Sequence, residues 1–241
     1  MLRLGILLDG AKPIGEGING ALRGFAIVDD DEIPVVAKQL PEKEIICEIL
    51  CAKLGLLLDL PIPEPLLLVN SQREYLFGST DISYPNLAHY LNIEHDGELA
   101  LKLLRKWIHL KKSSFFDELI FNADRHEGNI LFDGAEFSLI DHGLALHEGY
   151  PDDFKWNNIL FSFMLNGCDS DSDKCKIKNE AKAWSDQLTE INIIDNIELE
   201  ISNINSPHKE TLINILTKRK KMLLSFINSR LPSQQMDYVN V

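Results

Sequence analysis

At 241 residues the chain is long enough for one two-lobed domain, or for one domain with a small helical appendage. Its 37 acidic against 24 basic residues leave a net charge of −13, which argues against general nucleic-acid binding, because neutralising phosphates takes clustered Lys and Arg. The longest apolar run, Leu54 to Leu58, stops at Asp59 and is far too short to cross a bilayer, and no basic-then-apolar start marks a signal peptide; the expected compartment is the cytoplasm.

Met1 to Leu8 reads as a first strand and Leu22 to Val28 as a second, with Gly15-Glu-Gly17-Ile-Asn19-Gly20 between them. A lone Gly-x-Gly-x-x-Gly is a weak signal. In a dinucleotide fold it opens a helix, yet the residues after Gly20 look extended. A strand–loop–strand setting suits a glycine-rich lid whose backbone N–H groups cover phosphates, which makes Gly15, Gly17, Asn19 and Gly20 candidate nucleotide contacts. The competing reading is an ordinary hairpin loop.

After a turn at residues 29–32, Ile33 to Lys38 forms a third strand. Its end, Val35-Val-Ala-Lys38, is close to the Val-Ala-Ile-Lys pattern in which the lysine contacts α and β phosphates. A strand-borne lysine is more often merely exposed, but a glycine loop before it and a helix after it favour function. That helix is expected from Pro41 to about Leu58, with Ile45, Ile49, Ala52 and Leu56 available for packing. Glu44 and Glu48 lie one turn apart on it, and one of them should pair with Lys38. Three prolines in Leu60 to Pro65 stop the helix. Leu66 to Val69 and Tyr75 to Phe77 then complete a small antiparallel sheet, and Phe77 to Thr80 is the expected hinge to a second lobe, with adenine near it.

Beyond Asn86 the pattern turns helical. A short turn to Leu91 precedes a helix over Glu98 to Leu110 with a Leu99, Leu103, Trp107, Leu110 stripe. Phe115, Phe116, Leu119 and Ile120 mark a buried helix ending near Asn122. A polar loop, Asn122 to Asn129, follows; then Ile130 to Phe132 and Phe137 to Ile140 pair across Asp133-Gly134, a strong hairpin signal. Asp141 ends the second strand.

Phosphoryl transfer needs one carboxylate to orient and deprotonate the attacking hydroxyl, and further oxygen ligands to hold magnesium against the phosphates. Asp124 and Asn129 have the spacing of that Asp and Asn in a kinase catalytic loop, and the hairpin returns Asp141 to their neighbourhood. Taken singly, these residues could be a helix cap, a turn and a strand end. Their conjunction favours the chemistry.

Further on, Phe154 to Leu165 reads as an aromatic-rich helix. Gly167 to Lys174 partly matches a calcium loop through Asp169, Asp171 and Asp173, but Lys174 stands where glycine is required, so a solvated linker is expected. Residues 176–230 should form two or three helices, the last from Pro207 with Leu212, Ile215, Leu216, Leu223 and Ile227 on one side and Lys218 to Lys221 as a solvated face. Cys47, Cys51, Cys168 and Cys175 form no paired C-x-x-C units; Cys47 and Cys51 are read as partly buried thiols in a reducing compartment.

Asn122-x-Asp-Arg-His-x-Gly-Asn129 followed by Ile140-Asp-His-Gly-Leu-Ala145 resembles the HipA-like kinase family of bacterial serine/threonine kinases. Phosphoinositide kinases share Asp-Arg-His-x-x-Asn but pair it with Asp-Phe-Gly, where this chain has Asp141-His142-Gly143. Leu60-Pro-x-Pro-Glu64 is also similar to the family, and so is the helix around Glu48, which selects Glu48 over Glu44 as the partner of Lys38.

The resemblance implies an α+β, protein-kinase-like bilobal fold: a small antiparallel sheet lobe over residues 1–80, a helical lobe over 81–233, and a tail at 234–241. It implies Asp124 as catalytic base, His126 bracing the loop, Asn129 and Asp141 on the metal, ATP and Mg2+ as cofactors, and a protein Ser or Thr hydroxyl as acceptor. A toxin or stress-regulating role with an antitoxin or other regulatory protein partner also follows, without direct nucleic-acid or membrane binding. The family often carries a serine in the glycine loop, and none lies between Gly15 and Gly20. The rival readings are a partner-recruiting pseudokinase and a small-molecule or lipid kinase.

Overall fold

The computed structural model describes residues 1–15, 20–92, 94–149, 154, 156–166, 168 and 170–231. Its first part runs β1 (Arg3–Leu7), β2 (Lys12–Pro13), β3 (Leu22–Val28), β4 (Asp31–Lys38), α1 (Glu42–Leu57), β5 (Pro65–Val69) and β6 (Tyr75–Thr80). Period-two alternation directs Ala26 and Val28, Val35 and Ala37, and Leu66 and Leu68 into one apolar cluster with Leu7 and Leu76. The strands are ordered β1-β5-β6-β4-β3, and β3 also pairs with β1, with Ile6 opposite Ile27. The expected small antiparallel sheet is therefore a closed five-stranded barrel, and its β1–β5 pair is parallel. Closure pairs strand edges that an open sheet would expose.

So narrow a barrel has little room inside. A Cβ on Gly78 would lie 2.5 Å from Leu68 Cδ1, and one on Gly5 would lie 2.6 Å from Val28 Cγ2 and 2.9 Å from the Ile27 carbonyl oxygen. Because the second obstacle at Gly5 is backbone, rotamer changes cannot relieve it. Gly5→Ala is expected to destabilise the protein by about 1–3 kcal/mol, seen as a lower urea midpoint at unchanged m-value.

The remainder comprises α2 (Leu87–Leu91), α3 (Glu94–Lys106), α4 (Leu110–Ile120), a 3-10 turn (Glu127–Asn129), the hairpin β7 (Ile130–Phe132) and β8 (Phe137–Leu139), α5 (Ile159–Leu165), α6 (Asp171–Glu190), α7 (Ile193–Glu200) and α8 (Pro207–Arg230). The helix α1 is buried on all sides from Ile45 to Gly55 because it packs on β5 and β6 and also on α7 and α8. It joins an apolar cluster that extends from Leu2 to Leu231.

Several expectations change. Residues 77–80 are not a hinge: they lie inside β6, opposite Val35 to Lys38. The helix expected over 98–110 ends at Lys106, and a turn through Trp107 leads into α4. Gly97, Ala100 and Leu104 are its buried residues; of the stripe read in the sequence, Trp107 and Leu110 are buried and Leu103 packs on the core, while Leu99 is 55% exposed. Phe154 precedes helix rather than belonging to it, because the Asn158 side chain accepts the Phe161 N–H and starts α5 there. The expected linker before Lys174 already holds the first turn of α6, where Ser170 caps and Asp171 and Asp173 complement the helix dipole. Within residues 218–221, the Arg219 guanidinium stacks 4.7 Å from the Phe121 ring and 4.5 Å from that of Phe226, so this run is more than a solvated face. Cys47 and Cys51 are fully buried, and all four cysteines are free thiols. No helix among the described residues is long and apolar enough to cross a membrane.

Candidate active site

Three elements converge on Lys38. The strand β4 carries it at its last residue, opposite Phe77, and its Nζ lies 6.0 Å from the Phe77 ring centroid. Two turns into α1, Glu48 places Oε1 at 3.2 Å from that Nζ. Two residues past the end of β8, Asp141 places Oδ1 at 2.9 Å from it. Glu44 makes no ion pair with Lys38 among the described residues.

The second oxygen of Glu48 accepts the backbone N–H of His142 at 2.7 Å, so one buried carboxylate holds both the lysine and the segment after Asp141. Its neighbour Cys47 donates its thiol to the carbonyls of His142 and Ala145, each at 3.3 Å. The backbone passes so close to α1 that a Cβ on Gly143 would lie 3.2 Å from Glu48 Cγ. Asp141 itself sits in the left-handed region, with φ of 62°. A non-glycine residue there is uncommon, and such outliers gather at functional sites.

The charges are strongly coupled. Burial alone would raise the Glu48 carboxyl, but the Lys38 charge and the His142 contacts outweigh it and hold its pKa down to about 2. Burial pulls Lys38 down, but the fields of Glu48 and Asp141 prevail and leave it above the ordinary lysine value. Asp141 goes the other way: desolvation, reinforced by the Glu48 charge, raises its pKa despite Lys38. Burial likewise lowers His142, which favours the neutral imidazole.

The loop is braced from beneath. Arg125 clasps Asp117 of α4 through Nε at 3.0 Å and Nη2 at 3.1 Å, and both side chains are wholly buried. Its Nη1 donates to the carbonyls of Asn129, at 2.9 Å, and Ile140, at 2.6 Å. One guanidinium thus ties helix, loop and hairpin together. The helix ends at Phe121 in a left-handed cap, and the Leu146 N–H donates to the Ile120 carbonyl at 2.8 Å.

Asp124 is exposed at the head of the loop. Asn129 donates Nδ2 to the Asp124 carbonyl at 3.1 Å, which turns its Oδ1 the other way. The Ile140 N–H donates to the Asn129 carbonyl at 3.1 Å, leaving Asn129 one residue out of register from Asp141. Nδ1 of His126 accepts the Gly128 N–H at 3.0 Å and caps the 3-10 turn. Asp133 Oδ1 accepts the Ala135 and Glu136 N–H groups at 2.7 Å each, and Gly134 takes φ of 103°, so the hairpin turns through a four-residue loop. Of the glycine-loop candidates, Gly15 and Gly20 have positive φ of 78° and 56°, and the Ile14 N–H bonds the Ala21 carbonyl across the loop mouth. Gly17 and Asn19 lie outside the described residues.

Sequence reasoning gave no role to Asp117, Arg125 or His147. Asp117 and Arg125 had a signal: a charged residue inside the apolar Phe116, Leu119, Ile120 stripe must find a buried partner. His147, edge-on to Phe121 at 5.9 Å and within the field of Asp124, had none.

A family model described as HipA-like kinase matches residues 18–225. This chain belongs to the HipA-like kinase family. A crystal structure of a Helicobacter pylori proinflammatory kinase, CtkA, is similar in fold, with a TM-score of 0.57 and 15% identity over 95% of this chain and 98% of that one. No curated protein matches the sequence. As a HipA-like kinase the protein is a phosphotransferase, and its family implies ATP, accompanied by Mg2+. The donor set fits that pair: an amide oxygen and a carboxylate are hard ligands, and their small number suits an ion that keeps waters and phosphate oxygens in its shell. Among the described residues no cluster of three or more His, Cys, Asp or Glu side chains offers a closed metal cage, as a soft-metal site would need.

Proposed function

We propose that this HipA-like kinase transfers the γ-phosphoryl group of Mg-ATP to a Ser or Thr hydroxyl of a protein. The observation that carries the reading is Lys38 held between Glu48 and Asp141, beside a loop whose Asp124 and Asn129 hang from the same hairpin. Bound Mg-ATP supplies the electrophilic phosphorus and ADP as leaving group. Lys38 holds the α and β phosphates, Asn129 and Asp141 bind the metal, and backbone N–H groups around Gly15 and Gly20, with Gly17 and Asn19 in the same loop, cover the phosphates. Asp124 orients the acceptor hydroxyl and takes its proton, while His126 keeps the loop in shape.

In this reading the barrel and α1, residues 1–80, act as one lobe and residues 81–233 as the other, with 234–241 a tail and the nucleotide in the cleft between the lobes. The family resemblance supports a role as a toxin or stress regulator controlled by an antitoxin or similar protein, and the free thiols of Cys47 and Cys51 support a cytoplasmic setting.

The test is transfer of label from γ-labelled ATP, with magnesium, to a mixed protein acceptor. Lys38→Arg keeps the charge that Glu48 needs but not the compact ammonium, so Tm should move by no more than a few degrees while transfer falls by about 10²-fold. Unchanged transfer would remove Lys38 from the mechanism. ATP binding without transfer to any acceptor would assign the chain to the pseudokinases, and transfer only to lipids or metabolites to those kinases.

A further inference from the structure

The stretch Lys102 to Lys112 carries five Lys or Arg and no Asp or Glu, in a chain of net charge −13. It forms the end of α3, the turn, and the start of α4, and it faces α6 across a groove of about 880 Å3. The groove is floored by apolar side chains, Trp107, Phe115, Met164, Ile177 and Trp184. Ile108 stands at its edge, 83% exposed. Lys111 is paired with Glu180 at 2.7 Å and Lys176 with Asp173 at 3.1 Å, which leaves Arg105, Lys106 and Lys112 with no ion pair among the described residues.

Helix stability explains only part of this charge. Arg105 and Lys106 lie in the last turn of α3, where cations complement the dipole, but Lys111 and Lys112 lie in the first turn of α4, where they oppose it and which holds no acidic residue of its own. Trp107 adds a second unexplained feature, a buried indole N–H without a hydrogen-bond partner among the described residues.

We propose that this groove docks an acidic protein segment with a bulky apolar anchor: the anchor enters the apolar floor beside Ile108, and its flanking carboxylates meet Arg105, Lys106 and Lys112. Charge complementarity selects the occupant. A nucleic-acid backbone would use the cations, but it would leave both the apolar floor and Ile108 uncovered. The site does not depend on the phosphoryl-transfer reading, because docking is measured without ATP.

The probe is a fluorescein-labelled peptide of alternating Asp and Glu around a single Leu-Phe pair, titrated with the full chain and followed by anisotropy. Binding is expected below about 100 μM at low salt, weakened at least about tenfold by Arg105→Glu with Lys106→Glu. Ile108→Asp should weaken it similarly, as should replacing Leu-Phe by Ser-Ser in the peptide. These positions are exposed and outside the catalytic machinery, so unchanged circular dichroism and unchanged label transfer certify each variant. Absence of binding, equal binding by the charge-reversed chain, or equal competition by a DNA duplex or anionic vesicles would overturn the proposal.

Discussion

Asp124→Asn is expected to lower the rate of phosphoryl transfer by about 10²- to 10⁴-fold, the range a positioned general base supplies, with ATP affinity and Tm essentially unchanged. The separation of effects follows from the geometry. The Asp124 side chain is exposed, so its amide analogue loses no buried partner; the bond to Asn129 Nδ2 comes from the Asp124 backbone carbonyl, which survives the substitution. The Lys38, Glu48 and Asp141 cluster contains no atom of Asp124. Single-turnover transfer and an independent ATP titration check both halves. The competing base is His147, which lies in the field of Asp124 and whose pKa is lowered, first by burial and then by Lys43. If the Asp124 variant keeps its activity and His147→Gln loses it, the proton goes to the imidazole.

What could be read from the residues alone was the local grammar of the site. The strands of the first 38 residues, Lys38 and the helix bearing Glu48 each leave a periodic or turn signal. The hairpin that returns Asp141 to Asn129 is similarly short-range. Barrel closure was not legible, because the parallel β1–β5 pairing joins segments far apart in the chain and alternation does not say which edge meets which. The stripe read over 98–110 held at Leu103, Trp107 and Leu110 and failed at Leu99, because packing rather than spacing chooses which face buries, and there it is the face carrying Ala100 and Leu104. The starts of α5 and α6 were missed because Asn158 and Ser170 are caps, which override the aromatic and acidic patterns around them.

Arg125→Met is expected to be the most destabilising single change in the site. It strips the partner from Asp117, a carboxylate with no exposure, and removes a donor from the carbonyls of Asn129 and Ile140. Breaking a buried pair by deleting one member costs about 3–5 kcal/mol. For a protein of this size that lowers Tm by on the order of 10 °C. The loss should also reach the chemistry, since the same guanidinium joins the loop bearing Asp124 to the strand that delivers Asp141. The double variant Asp117→Leu with Arg125→Met separates the two consequences. Replacing the pair by apolar side chains removes the stranded charge and should restore part of the Tm, as buried pairs exchanged for hydrophobes commonly do. It cannot restore the hydrogen bonds to Asn129 and Ile140, so transfer should stay low when measured well below either melting point. Recovery of activity together with Tm would mean that Arg125 serves stability alone and that the loop finds its register from α4 and the hairpin without it.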